Sequence, residues 1–221
     1  MAQSSSPSHS RSALIDCTKG LACAAIVWHH LSFYGPMSDV AHPAMPDVLD
    51  WLYEYARMAV QIFLVIGGFL AAASLAPQGQ ARFDSPWSKI GKRFVRLVVP
   101  SAVALVVTLV ISAAIRPWFD HESVSADPDL WQLFAHALLL QNIVGEESLS
   151  AGVWYVSIDF QLFAGTVLLL AAVRWLKQVA TARWGELAMQ RWWPWMVTGT
   201  QALVVLAVAA SLYSFNLDAD L

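Results

Sequence analysis

Two adjacent histidines, His29 and His30, lie in an apolar run that also carries Lys19. Ionisable side chains are costly in hydrocarbon, so the pair requires a structural or a chemical reason. At 1.5 Å per residue, Lys19 and His30 are roughly 16 Å apart along a helix and share one face, whereas His29 points about 100° away. An imidazole exchanges protons near neutral pH, so His30 is a candidate general base. A histidine hydrogen-bonded within a helix bundle is the alternative, which we favour for a lone histidine.

Asp159 is the second unusual residue, because it is the only acidic side chain well inside a predicted span. It lies in GVWYVSIDFQLF, residues 152–163, at a predicted depth similar to that of His30. A carboxylate at that depth can orient an imidazole and support it as a base. A structural ion pair or hydrogen bond between helices explains the same two residues equally well.

A basic helical face follows at residues 87–100, WSKIGKRFVRLVVP. Its cations occur at positions i, i+3, i+4 and i+7 and therefore lie on one side of a helix: Lys89, Lys92, Arg93 and Arg96. Such a face can bind the phosphates of a soluble donor. The commoner explanation is a basic flank at the cytoplasmic end of a membrane span.

The composition indicates that these residues are carried by membrane helices. Hydrophobic residues make up 57% of the 221 positions and charged residues 13%, whereas about a quarter of a soluble domain is charged. Cys17 and Cys23 lie in or at the edge of the first apolar run, where neither a disulfide framework nor a metal site is expected. We predict a disordered cytoplasmic tail over residues 1–12 and one membrane domain over residues 13–221.

The apolar runs predict an all-α, polytopic transmembrane bundle of about five spanning helices. The runs are long enough to cross about 30 Å of hydrocarbon near residues 17–34, 56–75, 97–115, 153–173 and 195–215. A further run, residues 130–144, is short and has acidic flanks, so we expect a re-entrant or interfacial helix there.

The distribution of charge predicts the orientation. Basic residues cluster before the first span, between the second and third, and between the fourth and fifth, which places these segments in the cytoplasm. The acidic loops 35–55 and 116–152 then lie outside, where only Arg57 and Arg116 are basic. We expect a multi-pass protein of a bacterial inner membrane with a cytoplasmic N-terminus.

Four motifs in order resemble those of the acyltransferase 3 family of integral membrane enzymes. The first helix carries Asp16, then Lys19-Gly20-Leu21-Ala22, and His30 with ten residues between it and Lys19. IFLVIGGFL at 62–70 resembles the family's Phe-Phe-Val-Ile-Ser-Gly-Phe-Leu stretch. Lys92-Arg93 with Arg96 and Pro100 resembles its basic motif, and Trp154, Ser157 and Asp159 resemble its Trp-x-x-Ser-x-Glu stretch. Lysine replaces the usual arginine at 19, glycine the usual serine at 67, and aspartate the usual glutamate at 159.

The resemblance implies transfer of an acyl group, often acetyl, from cytoplasmic acyl-CoA to a hydroxyl of an extracytoplasmic sugar or glycan. It implies catalytic roles for His30 and Asp159, donor binding by Lys19, Lys92, Arg93 and Arg96, and acceptor binding by Trp154 and Ser157. No permanently bound cofactor, metal or nucleic acid is expected, and homo-oligomerisation is left open. Family members generally have about ten spans, so we expect this chain to be an incomplete form.

Two other classes of protein explain the same residues. In a proton-coupled transporter or flippase, His30 and Asp159 would form a proton relay and the basic face would bind a phosphorylated solute or lipid. In a truncated, non-catalytic membrane subunit the motifs would remain without activity.

Overall fold

The computed structural model describes residues 12–33, 36–119, 124, 127–150 and 152–197, and all regular secondary structure in these ranges is helical. The α-helices are α1 (Ala13–Phe33), α2 (Pro36–Ala41), α3 (Pro46–Glu54), α4 (Ala59–Leu75), α5 (Pro86–Ile115), α6 (Leu130–Ala137), α7 (Gln141–Val144) and α8 (Val153–Trp184). Short 3-10 turns occupy His42–Ala44, Ala56–Met58 and Pro77–Gly79. The all-helical prediction is confirmed for this part of the chain.

Within the described ranges, three helical segments are long and apolar enough to cross a membrane: Pro46–Leu75, Pro86–Ile115 and Val153–Trp184. The predicted count of five spans is therefore not confirmed. Helix α1 has 21 residues, enough for about 31 Å, but Asp16, Lys19 and the two histidines lower its hydropathy. The predicted fifth span, 195–215, lies almost entirely outside the described residues.

Two compact units divide the chain, Met1–Leu168 and Leu169–Leu221, with the boundary inside α8. In the first unit, α1 packs against α3 and α4, and the small side chain of Ala22 is buried there at 2% exposure. In the second unit, α8 ends before Gly185, whose φ of +81° suits a residue without a Cβ. Residues 186–197 are again helical, and Met189 is buried.

Helix α5 begins with clear local signals. The Ser85 hydroxyl accepts a hydrogen bond from the Ser88 backbone N–H at 3.3 Å, and Pro86 occupies the first turn, where its missing N–H costs nothing. Further along, α5 exposes large apolar side chains over several turns, among them Val103, Val106 and Val110. A surface of this kind suits contact with lipid.

The segment predicted as one short re-entrant or interfacial helix, 130–144, forms two helices, α6 and α7. They are separated at Leu139, a fully buried residue with φ of +56°. The Gln161 side chain of α8 donates to the Leu139 carbonyl at 2.8 Å, and Gln141 and Asn142 donate to the Val153 and Trp154 carbonyls. Neither helix is long enough to span, and α7 and the break at Leu139 are hydrogen-bonded to α8.

Candidate functional site

A cavity of about 430 Å³ opens beside the two histidines, and we call it the histidine cavity. It is built from α1, α3, the turn before α4, α4 itself and the start of α8, all in the first unit. Its lining consists of Cys23, Ile26, Val27, His29, His30, Tyr53, Arg57, Val60, Phe63, Gly152, Trp154 and Tyr155. An apolar and aromatic wall with a few polar groups is typical of a small-molecule site.

His29 is fixed by a backbone contact. Its Nδ1 atom lies 3.0 Å from the Leu52 carbonyl oxygen of α3. A carbonyl oxygen only accepts, so Nδ1 donates, and in a neutral ring the proton-accepting nitrogen is Nε2. The side chain is 8% exposed and its ring centroid lies 5.4 Å from that of His30. Both imidazoles therefore belong to one site.

Sequence reasoning placed His30 toward a site but assigned His29 to another direction. The side chains of neighbouring helical residues point about 100° apart, and this cavity is wide enough for both histidines to line it. Sequence reasoning also missed Tyr53, Arg57 and Tyr155, which line the cavity. The signal for Tyr155 was its position next to Trp154 in the recognised motif, whereas Tyr53 and Arg57 reach the site only through packing of α3 and the following turn against α1.

Asp159 contacts Arg93. The Arg93 Nη2 atom donates to Asp159 Oδ2 at 2.6 Å, and the side chains are 30% and 14% exposed. The guanidinium also lies 5.2 Å from the ring centroid of Phe163, one turn further along α8. Arg93 Nε is buried and has no hydrogen-bond partner among the described residues. The ion partner of Asp159 is thus Arg93, which neither explanation named, and both explanations that pair Asp159 with His30 stay predictions.

Gly67 of α4 brings a third helix to the Arg93–Asp159 pair. A Cβ at Gly67 would lie 3.5 Å from Asp159 Oδ1, so the helix backbone faces the carboxylate closely. One turn earlier, the rings of Phe63 and Tyr155 are 6.2 Å apart. From the Phe63–Tyr155 contact to the Gly67–Asp159 contact, the residue number rises by four on both helices. Helices α4 and α8 therefore run in the same direction. Asp159 is thus about 6 Å, one turn, from the cavity residue Tyr155.

The Arg93–Asp159 pair bears on the predicted depth of Asp159. Arg93 lies about 10 Å from the start of α5, and Asp159 about 9 Å from the start of α8. The predicted topology starts these helices on opposite sides of the membrane. In that topology the extended Arg93 side chain has to reach toward the outer half of the membrane, or α8 has to start below the outer surface, for the two side chains to meet.

The other predicted site residues do not all meet at the histidine cavity. Lys19 lies on α1 away from the cavity, while Lys92 and Arg96 are exposed on α5 and Arg93 is turned toward α8. The predicted basic face is therefore split. Trp154 lines the cavity and is 37% exposed. Ser157 is fully buried outside the lining, and its hydroxyl has no partner among the described residues.

Metal chemistry has no candidate ligand set in the part of the chain that the structure describes, where no three His, Cys, Asp or Glu side chains are grouped suitably. The two cysteines, Cys17 and Cys23, are free thiols.

Comparison with known proteins identifies the family to which this chain belongs. The model of the acyltransferase domain of the acyltransferase 3 type matches residues 13–217. A protein of Caenorhabditis elegans named regulator of hypoxia-inducible factor 1 is 28% identical over 169 residues, which cover 69% of this chain and 33% of that protein. The chain thus spans about a third of the length of this curated relative. No solved structure matches the chain.

Proposed function

This chain belongs to the acyltransferase 3 family, and from that premise we propose that it is a membrane O-acyltransferase. The donor is cytoplasmic acyl-CoA, with acetyl as the expected acyl group, and the acceptor is a hydroxyl of an extracytoplasmic sugar or glycan. The observation that carries the proposal is the placement of His29 and His30 in one cavity with aromatic side chains. A general base beside an aromatic wall suits a sugar hydroxyl.

His30 is the proposed base. It takes the proton of the acceptor hydroxyl as the oxygen attacks the thioester carbonyl, the carbon–sulfur bond breaks, and the protonated imidazole returns the proton to the leaving CoA thiolate. Trp154 and Tyr155 of α8 border the space in which the acceptor would lie. Asp159 supports this site through the turn of α8 that carries Tyr155, and its pair with Arg93 fixes that turn relative to α5.

The donor phosphates are assigned to Lys92 and Arg96, which are exposed on α5, with Lys19 as a third cation. Arg93 can bind the donor only through N–H groups that do not donate to Asp159. Replacing Lys92 and Arg96 together with glutamine should weaken binding of acetyl-CoA, and added salt should weaken the unchanged protein in the same direction. If the double variant binds acetyl-CoA as tightly as the unchanged protein, Lys92 and Arg96 serve lipid contact or membrane topology and not donor binding.

The function is tested with the purified chain in lipid nanodiscs, radiolabelled acetyl-CoA and a panel of glycans. We expect label in the glycan, sensitive to hydroxylamine as an ester is, and none with His30→Gln. The transporter alternative is tested in proteoliposomes carrying a pH-sensitive dye. Glycan-dependent proton flux without labelled ester would overturn the acyltransferase proposal.

A further inference from the structure

One side chain in the histidine cavity is unused by the proposed reaction. Arg57 lies in the 3-10 turn Ala56–Met58, directly before α4, and contributes to the lining of the cavity. Among the twelve lining residues it is the only one with a formal charge at neutral pH when both imidazoles are neutral. The exposed Arg57 guanidinium is therefore the one formal charge in the lining under that condition.

No protein group neutralises that charge in the part of the chain that the structure describes. Arg57 has no ion pair or hydrogen bond there, in contrast to Arg93 and Arg116, which bind Asp159 and Asp127. The acidic residues before it in α3 are Asp50 and Glu54. Asp50 binds His42 at 2.8 Å on the side of a separate pocket, and Glu54 does not line the histidine cavity.

The dimensions of the cavity limit the size of a ligand that can bind Arg57. A sphere of about 430 Å³ is roughly 9 Å across. This space fits one sugar ring with a charged substituent, and it brings the guanidinium and the imidazoles within reach of the same small molecule. Tyr53 and Trp154 supply aromatic surface in the same lining.

We propose that Arg57, at the outer end of the predicted second span, is an anion subsite and that the acceptor is a hydroxyl compound carrying a carboxylate or phosphate, whose charge Arg57 binds while its hydroxyl lies at the histidines. The inference rests on the proposed function for the role of the hydroxyl, but the anion subsite itself requires only the cavity. A planar guanidinium with five N–H donors binds either oxyanion in a bidentate manner, which a lysine at this position would not reproduce.

Binding is measured first, because it does not depend on turnover. The chain in nanodiscs of zwitterionic lipid is titrated with methyl glucuronide, glucose 6-phosphate and, as the neutral match, methyl glucoside, and binding is followed by saturation-transfer NMR and thermal stabilisation. We expect at least one anionic probe to bind 10-fold or more tightly than methyl glucoside. Arg57→Gln should abolish this preference and Arg57→Lys should retain part of it.

Arg116→Gln is the matched control, because Arg116 is the other arginine of the predicted outer loops and does not line the cavity. Equal binding of charged and neutral probes, or an anion preference that survives Arg57→Gln, would overturn the subsite. An Arg57→Gln effect seen only in nanodiscs of anionic lipid would assign the side chain to lipid headgroups and also overturn it. Arg57-dependent binding without ester formation would leave the subsite in place and refute the proposed transferase activity.

Discussion

The histidine cavity and the Arg93–Asp159 pair are two polar regions of the same unit, about one helical turn apart along α8. The cavity collects side chains that face an open space, and within it the identified hydrogen bond fixes His29 to a backbone carbonyl. The pair is a direct contact between α5 and α8, bordered closely by Gly67 of α4. Polar residues in apolar helices thus occur in two settings here, one lining a cavity and one joining two helices, although their sequence contexts are similar.

The largest effect is expected at His30. His30→Gln and His30→Ala remove the proposed base, so acyl transfer should fall by roughly 10² to 10⁴ fold while acetyl-CoA still binds. The measurement is ester formation by variants of equal abundance in the membrane. Near-normal transfer by His30→Gln would move the base to another group of the cavity, with His29 the first to examine.

Asp159→Asn tests the other side of the comparison. It leaves the Arg93 cation partly buried beside a neutral amide, and removal of one partner of a buried pair typically costs on the order of 3 kcal/mol of folding free energy. The double variant Arg93→Gln/Asp159→Asn should recover part of that stability in a detergent-denaturation assay. Lys92→Gln, which changes an exposed cation on the same helix, is the control and should be neutral.

Activity of the same double variant separates the two roles of Asp159. A carboxylate that only holds the helices would be dispensable once Arg93 is neutral, and transfer would recover with stability. Recovery of stability and of acetyl-CoA binding without recovery of transfer would instead favour action of Asp159 on His30, one of the two roles that the sequence leaves open for it.

His29 is expected to have a smaller effect. His29→Phe leaves the Leu52 carbonyl without its donor, at a cost of roughly 1–3 kcal/mol in stability. His29→Asn places an amide N–H near the position of Nδ1 and should restore most of this. Stable His29→Asn protein that still loses transfer by more than 100-fold would place Nε2 of His29 in the chemistry.

The smallest effect is expected at Gly67. A Cβ at 3.5 Å from Asp159 Oδ1 is an ordinary van der Waals distance, so Gly67→Ala should be tolerated. Gly67→Ser adds a hydroxyl that can donate to the carboxylate, and we expect a stability gain of up to about 1 kcal/mol, read from the unfolding midpoint against Gly67→Ala. A loss with both variants would indicate that α4 and α8 lie closer together than this distance allows.

The helices were largely predictable from the sequence, and their ends less so. Apolar runs located α1, α4, α5 and α8 because bilayer-length hydrophobicity is a local property. Helix α5 joins the basic helical face predicted at 87–100 to the span predicted near 97–115, and Ser85 and Pro86 supply its N-terminal signal. Helix α8 continues to Trp184, well past the predicted end at 173, because charged residues beyond the apolar run remain good helix formers.

The site was predictable only in part. His30 was singled out by its type and its spacing from Lys19, and the structure places it in a cavity. The partner of Asp159 was not predictable, because depth along separate helices does not determine which faces meet. Arg93 was grouped with its neighbours on α5 by periodicity, yet the packing of α5 against α8 turns it away from Lys92 and Arg96. The contribution of Arg57 likewise depends on tertiary structure.

The attachments of the α6–α7 segment have a consequence for biosynthesis. Its break at Leu139 and the side chains of Gln141 and Asn142 are bonded to residues of α8, which leave the ribosome later. Until then these polar groups have no protein partners and favour water over hydrocarbon. The segment should therefore wait at the membrane surface during insertion and enter only when α8 arrives, so that the wall of the cavity nearest α8 is completed last.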